Sequence, residues 1–338
     1  MRKKTFIGSL VLIVLLVGGM VYPLPYYVTK PGMAKVLKPI VKVENGSNEK
    51  GDFMLTTVRM GRANIYSLAE AKISQFEEIY PADQIVAKNE TEEEFNVRQL
   101  YLMANSKQNA IEVAYRNAGL PVNYKYNGVY VLNVMPSMPA YGKLQAGDRI
   151  FKVDGHSFSS SKQFTTYIGK KLAGDQVNFT ILRKKQTKTV KLTVQRFKDN
   201  PGKVGIGIAL VDDKDILVKP DVTVKTDGIG GPSAGLMFSL EIYNQLTKED
   251  LTKGYKIAGT GEIAADGSVG PIGGIDQKIV AANNAGAEIF LAPNEHGSKK
   301  SNYRDAVKTA KKIGTKMKIV PVDSFANAVN YLRKLPAK

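Results

Sequence analysis

GGPSAGL at residues 230–236 and GPIGGIDQK at residues 270–278 decide how the C-terminal part of this chain is read. The first sets Ser233 in a glycine-rich turn that opens a helical run, SAGLMFSLEIYNQLT (233–247). The second sets Lys278 just inside another, DQKIVAANNAG (276–286), which Gly286 ends. Around them VGIGIALV (204–211), VTVKT (222–226), YKIAGTGEIAADGSVG (255–270), EIFLAP (288–293) and MKIVPV (317–322) carry strand signals, and SFANAVNYLRKL (324–335) closes as an amphipathic helix. A serine hydroxyl is a poor nucleophile near neutral pH and needs a base. A lysine amine serves once it is desolvated enough to lose its proton. The apolar, glycine-lined residues 271–275 before Lys278, and Ile279, Val280 and Ala281 after it, supply such surroundings. Backbone N–H groups of a loop holding Gly230, Gly231, Pro232 and Ala234 would face a developing oxyanion at the helix start.

Two other readings of Ser233 stand beside this one. It could be an ordinary N-cap serine. GPSAG (231–235) also satisfies the G-x-S-x-G pattern of a nucleophile elbow, which requires an acid and a histidine downstream. The available partners are His296, in the polar stretch APNEHGSKKS (292–301), with Asp266 or Asp276, and no HGGG-type oxyanion loop accompanies them.

Upstream, Arg2, Lys3 and Lys4 precede FIGSLVLIVLLVGGMVY (6–22), an uncharged run long enough to cross a bilayer, with Tyr22, Tyr26 and Tyr27 as an interfacial belt. A cleaved signal peptide is the competing reading, but the run ends in MVYPLPYYV (20–28) with no clear small-x-small cleavage site. The chain contains no cysteine, which removes disulfides, thiolate sites and a lipidated anchor. A formal charge of +17 argues for anionic surroundings, and behind a membrane segment lipid headgroups or cell-wall polymers are favoured over nucleic acid, with a merely solvated basic surface favoured over either.

After the anchor, PYYVTKPGMAKVLKPIVKVE (25–44) and GDFMLTTVRM (51–60) read as strands, and residues 67–119 turn helical. Glu92, Glu93 and Glu94 favour a helix start there through the macrodipole. Strand, turn and helix signals then alternate through GVYVLNVMPSMPAYGKLQAGDRIFKVDGHSF (128–158), SSSKQFTTYIGKKLAG (159–174) and the hairpin DQVNFTILRKKQTKTVKLTVQRF (175–197). Through LQAGDRIFKVDG (144–155) this unit resembles a PDZ domain of the bacterial protease-associated type. That resemblance implies capture of an extended peptide or a C-terminus by strand addition. It sets a carboxylate-binding loop at Tyr126, Asn127, Gly128 and Val129, although YNGV departs from the usual glycine-rich, hydrophobic pattern.

GPSAG followed by TGEI (260–263), GSVGPIGGIDQK (267–278), AGAEIFLAP (285–293) and MKIVPVDSFANAVNYL (317–332) resembles the proteolytic domain of Lon proteases in order and spacing. The resemblance implies Ser233 as nucleophile, Lys278 as general base and Thr260 as the threonine that orients the lysine amine. Asp227 matches the aspartate before the serine motif, with Ile229 and Gly230 inserted between them, and a loop-capping role stands equally open for it. No G-x-x-x-x-G-K-[ST] loop and no H-E-x-x-H occurs, and His156 falls in a turn. Neither a nucleotide nor a metal cofactor is expected.

Together these features resemble surface-anchored PDZ-domain Lon-like serine proteases of Gram-positive bacteria, the YlbL/SepM type. The expectation is an α+β chain with an N-terminal transmembrane helix and a PDZ-like domain inserted ahead of a Lon-like catalytic domain. Its parts are a cytoplasmic start and anchor (1–24), strands belonging to the proteolytic domain (25–65), a helical segment (66–121), the PDZ-like unit (122–198) and the proteolytic domain (203–338). The implied activity is ATP-independent cleavage of secreted peptides, or of flexible segments of small membrane or exported proteins, outside the cell membrane. Its partners would be peptide or protein substrates, the membrane, and a second copy of the chain in a homo-oligomer. The alternatives are a non-catalytic PDZ peptide-binding scaffold and a Ser-Asp-His esterase.

Overall fold

The computed structural model describes residues 6–7, 10, 17–86, 90–226, 228–247 and 249–338. Much of the expected anchor, residues 6–22, lies outside them. Among the described residues no helix is long and apolar enough to cross a membrane.

Two packed units share the chain. The first is built on a six-stranded sheet in the spatial order Lys318–Val322, Ile289–Pro293, Lys256–Gly259, Asp52–Arg62, Tyr26–Val36, Glu78–Pro81. The first four strands run parallel to one another, and the last two pair antiparallel. N-terminal strands therefore lie in the same sheet as those around the lysine motif. Parallel strands need covered faces, and here alternate residues feed two cores. Phe53, Leu55, Ile257 and Leu291 point to the layer of helices Gly235–Leu246, Glu92–Asn117 and Phe325–Arg333. Met54, Ala258 and Phe290 point to the layer of helices Ile275–Asn284 and Asn302–Lys312. Ile289–Pro293 is buried throughout, as a strand covered on both faces must be. The serine helix and the lysine helix thus approach the sheet from opposite sides.

The long helix Glu92–Asn117 starts where the acidic run predicts. Thr91 and Glu94 form a reciprocal capping box, and Glu92, Glu93 and Glu94 occupy the first turn. Its buried stripe of Met103, Ser106, Ala110, Val113 and Ala114 packs on the serine helix.

The second unit is a five-stranded antiparallel sheet in the order Ile208–Val218, Val122–Val134, Arg149–Val153, Gln176–Arg183, Gln186–Thr193, with helix Ser161–Gly169 against it. Val131, Ile150, Phe164, Phe179 and Leu192 form its core. Inside the AGD turn the buried Asp148 carboxylate accepts two bonds from Arg183, at 2.7 and 2.6 Å, and one from the Gln145 N–H.

Residues 203–338 do not separate cleanly from this second unit. Ile208–Val218 pairs with Val122–Val134 from Ile208↔Val134 to Val218↔Val122. At one end of this ribbon Ile208 and Leu210 pack on the PDZ-like core, and at the other Val122, Ile216 and Val218 pack on the core of the first unit. The same pairing corrects the carboxylate loop. Tyr126, Asn127, Gly128 and Val129 lie within the strand Val122–Val134, with Tyr126 opposite Lys214, Gly128 opposite Asp213 and Val129 opposite Asp212. A partner more than eighty positions later in the chain draws them into a ladder, and local turn signals could not register it. Ile208–Val218 is the edge of the sheet, and beside it the Asp212 carboxylate accepts from the first N–H of helix Ser161–Gly169 at 2.7 Å. An extended peptide could add to that free edge.

Candidate active site

Ser233 stands just ahead of helix Gly235–Leu246, whose N-cap is Ala234 and makes no side-chain capping bond. The N-cap reading of Ser233 therefore does not hold. Its hydroxyl instead accepts a 2.7 Å bond from Lys278 Nζ. Gly235 is a glycine because of close approach: a Cβ there would lie 2.5 Å from Ile263 Cγ2 and 2.8 Å from Ser106 Oγ.

Lys278 comes from the second turn of helix Ile275–Asn284. The helix begins at Gly274, in the left-handed region at φ 67°, ψ 38°. The lysine is 3% exposed, and its amine meets Ser233 Oγ and, at 2.9 Å, Thr260 Oγ1. Burial pushes this amine down from 10.5 to about 7, while the nearby Glu262 carboxylate pulls the other way. The Ser233 hydroxyl suits either protonation state, because it can donate or accept, whereas Thr260 Oγ1 only accepts from the amine, its own proton going to the Ser233 carbonyl.

Thr260 lies at the end of strand Lys256–Gly259. Its hydroxyl and the Gly261 N–H both donate to the Ser233 carbonyl, each at 2.9 Å, and Leu236 N–H returns a bond to the Gly261 carbonyl at 3.1 Å. The turn after the strand thus clamps the residue bearing the hydroxyl. On the other side, the long helix holds the loop: Gly231 N–H donates to the Gln99 carbonyl at 3.0 Å and Ser106 Oγ donates to the Pro232 carbonyl at 2.8 Å. Sequence reasoning missed Gln99 and Ser106. The available signal was a serine inside an otherwise apolar helical stripe, since a buried hydroxyl requires a partner.

The structure brings Ser233, Thr260 and Lys278 together, and the loop of Gly230, Gly231, Pro232 and Ala234 adjoins them. Asp227 lies outside the described residues. The histidine-dependent alternative is not assembled. Asp266 is bonded to the backbone and hydroxyl of Ser268, Asp276 accepts from Thr309 Oγ1, and His296 is held through its backbone N–H on Asp323.

A groove of about 960 Å³ runs past Ser233 and Lys278, with Met33, Val58, Met60, Phe95 and Ile229 on its walls. Asp52–Arg62 pairs with Lys256–Gly259 only as far as Leu55↔Gly259. Beyond Leu55, Thr57, Val58 and Arg59 border the groove with one edge unpaired in the sheet. A groove of mixed apolar and polar lining with an open strand edge suits an extended chain.

Comparison with known proteins accords with this arrangement. The PDZ domain family matches residues 104–194, and the Lon protease (S16) C-terminal proteolytic domain matches residues 183–333. Similar curated proteins include a Lon protease of Mycoplasma mycoides, 30% identical over 151 residues, which are 44% of this chain and 17% of that protein. Another is a Lon protease of Campylobacter concisus, 38% identical over 107 residues, which are 31% of this chain and 12% of that protein. The chain thus spans only a small part of the length of these relatives. Among solved structures, the PDZ domain of an SdrC-like protein from Listeria monocytogenes is 38% identical and covers 26% of this chain and 90% of that one, with a TM-score of 0.24. A PDZ domain and a Lon-type serine-peptidase domain are joined in this one chain, the composition of a PDZ-containing Lon-like protease.

Proposed function

We propose that this protein is an ATP-independent serine endopeptidase working through a Ser233–Lys278 dyad. The observation that carries this reading is a buried amine, depressed to about 7, at 2.7 Å from a serine hydroxyl that caps no helix. In this mechanism Ser233 Oγ attacks the scissile carbonyl as its proton passes to Lys278 Nζ. The oxyanion is met by backbone N–H groups at the start of the serine helix. Collapse of the tetrahedral intermediate breaks the C–N bond, and the lysine returns its proton to the leaving amine. Water then attacks the acyl-enzyme with Lys278 again taking the proton, and Ser233 is restored.

Three features support the substrate class and setting. No P-loop motif occurs in these 338 residues, so nothing here unfolds a stable domain, and the groove suits chains already extended. The free edge of Ile208–Val218 offers a second peptide-binding place for selecting or presenting them. The uncharged run at residues 6–22 behind Arg2, Lys3 and Lys4 favours a single-pass anchor with the catalytic unit outside the membrane.

Thr260→Val keeps the side-chain shape and removes the hydroxyl that touches both dyad members. It is expected to lower kcat roughly 10- to 100-fold. It also takes an acceptor from the protonated amine, so the midpoint of the pH–rate curve should move down. Steady-state kinetics against pH measures both.

The test of the whole reading uses the full chain in detergent, because the strand Tyr26–Val36 belongs to the sheet, incubated with secreted peptides of its host and followed by mass spectrometry. The wild type should yield defined cleavage products and Ser233→Ala none. A peptide boronate should form its adduct on Ser233. Equal cleavage by the two proteins would overturn the mechanism.

A further inference from the structure

We propose that Ser106, in the middle of helix Glu92–Asn117, is a positioning residue that aims the Ser233 backbone N–H at the oxyanion. The inference rests on the reading of Ser233 as nucleophile and extends it to a residue on a different element.

Ser106 is 2% exposed. A serine inside a helix usually bonds back to a carbonyl of its own preceding turn or faces solvent. Here the hydroxyl leaves the helix and donates to the Pro232 carbonyl, 126 positions away in the chain, at 2.8 Å. That carbonyl receives one other bond, the longer 3.3 Å contact from Gly235 N–H. Pro232 has no N–H of its own and a fixed φ, so the orientation of the following peptide plane depends on what its carbonyl meets.

A trans peptide is planar, and its N–H points opposite to its C=O. Fixing the Pro232 carbonyl toward the long helix therefore directs the Ser233 N–H away from it. The next peptide is fixed in the same way. The Ser233 carbonyl is held by Thr260 Oγ1 and Gly261 N–H, which directs the Ala234 N–H away from that turn. Neither the Ser233 nor the Ala234 N–H donates to any acceptor among the described residues. Two consecutive free N–H groups, each aimed through the carbonyl of its own peptide, flank the hydroxyl at a helix start. Such preorganised donors are what an oxyanion requires.

Thr260 sets one of the two and Ser106 the other. The Gly231 bond to the Gln99 carbonyl holds the loop two residues ahead of Ser233 to the same helix, so Ser106 acts on a segment already tethered at its other end. The near approach of Gly235 to Ser106 Oγ, where any Cβ would sit at 2.8 Å, shows how closely the two helices must meet for this bond.

Losing one oxyanion donor in a serine protease costs about 100- to 1000-fold in kcat, and losing only its aim should cost less. Ser106→Ala is expected to lower kcat about 10- to 100-fold with KM within about twofold. Ser106→Cys, near in size and a weak donor, should fall between Ala and the wild type. Affinity for a peptide boronate, which forms a tetrahedral adduct on Ser233, should fall in proportion to kcat. Affinity for an uncleavable peptide should not. The midpoint of the pH–rate curve should stay where the wild type has it, because Ser106 does not touch Lys278.

The inference is overturned if Ser106→Ala keeps kcat within about twofold of the wild type. It is equally overturned if boronate and uncleavable peptide weaken alike, for that assigns Ser106 to packing alone. Ser233→Ala, assayed alongside, separates the two levels. If it still cleaves, the dyad reading fails. If it is inert while Ser106→Ala runs at full rate, only the role of Ser106 fails.

Discussion

Lys278→Met is expected to lower kcat by about 10⁴-fold or more while leaving a folded protein that is more stable than the wild type at neutral pH. The loss follows from geometry. Among the described residues the lysine amine is the one basic group hydrogen-bonded to Ser233 Oγ, and a thioether cannot take a proton. The gain in stability follows from the same burial that makes the amine a base. In the unfolded chain it titrates near 10.5, in the folded one at about 7. Between those values the unfolded state holds a proton that the native state lacks, so wild-type stability rises with pH, by up to about 1.4 kcal/mol per unit. Below about pH 7 both states are charged and the full penalty of a buried ammonium remains. Methionine, similar in volume, carries no such penalty. The stabilisation by Lys278→Met should be largest at pH 7 and below and fade as pH approaches 10.5. Denaturant titrations at several pH values check the sign, and a variant less stable than the wild type at pH 6 would contradict it.

The pH dependence of wild-type catalysis is the second large effect. Only the neutral amine accepts the serine proton, so kcat/KM should rise about tenfold per unit below pH 7 and level off above it, a change of about 100-fold from pH 5 to the plateau. Desolvation is the larger influence on this amine, and the Glu262 carboxylate opposes it by favouring the charged form. Glu262→Gln should therefore move the midpoint downward and extend activity to more acidic conditions. A curve that is flat from pH 5 to pH 8 would remove Lys278 from the role of base.

The contrast between what the sequence disclosed and what it concealed follows the range of the interactions. Ser233, Thr260 and Lys278 sit in short motifs whose residue types are chosen by local demands: a glycine where two helices nearly touch, a left-handed glycine before the lysine helix, an apolar surround for the amine. Such demands leave marks within a few positions. The helix start at Glu92 was legible for the same reason, since an acidic first turn is a local signal. The bonds from Ser106 and Gln99 to the serine loop bridge more than a hundred positions, and nothing near either end announces the partner. The pairing of Val122–Val134 with Ile208–Val218 is of this kind, and it turned an expected loop at Tyr126–Val129 into strand. The histidine alternative matched a pattern of residues but lacked the surrounding framework, and the structure gives its members other partners.

The ribbon formed by these two strands also says something about how such a protein can vary. The chain leaves the catalytic core at Val122 and returns to it at Val218, and those two residues lie directly opposite each other, about 5 Å apart as paired strand residues are. What lies between them is a branch on a two-stranded stem that also leans on the long helix, through Gln108 on the Lys214 carbonyl and Tyr101 stacked on Tyr130. Exchange of that branch for another module would leave the register of the six-stranded sheet untouched. Under the proposed function, selection of substrates can then diverge while the cutting chemistry stays as it is.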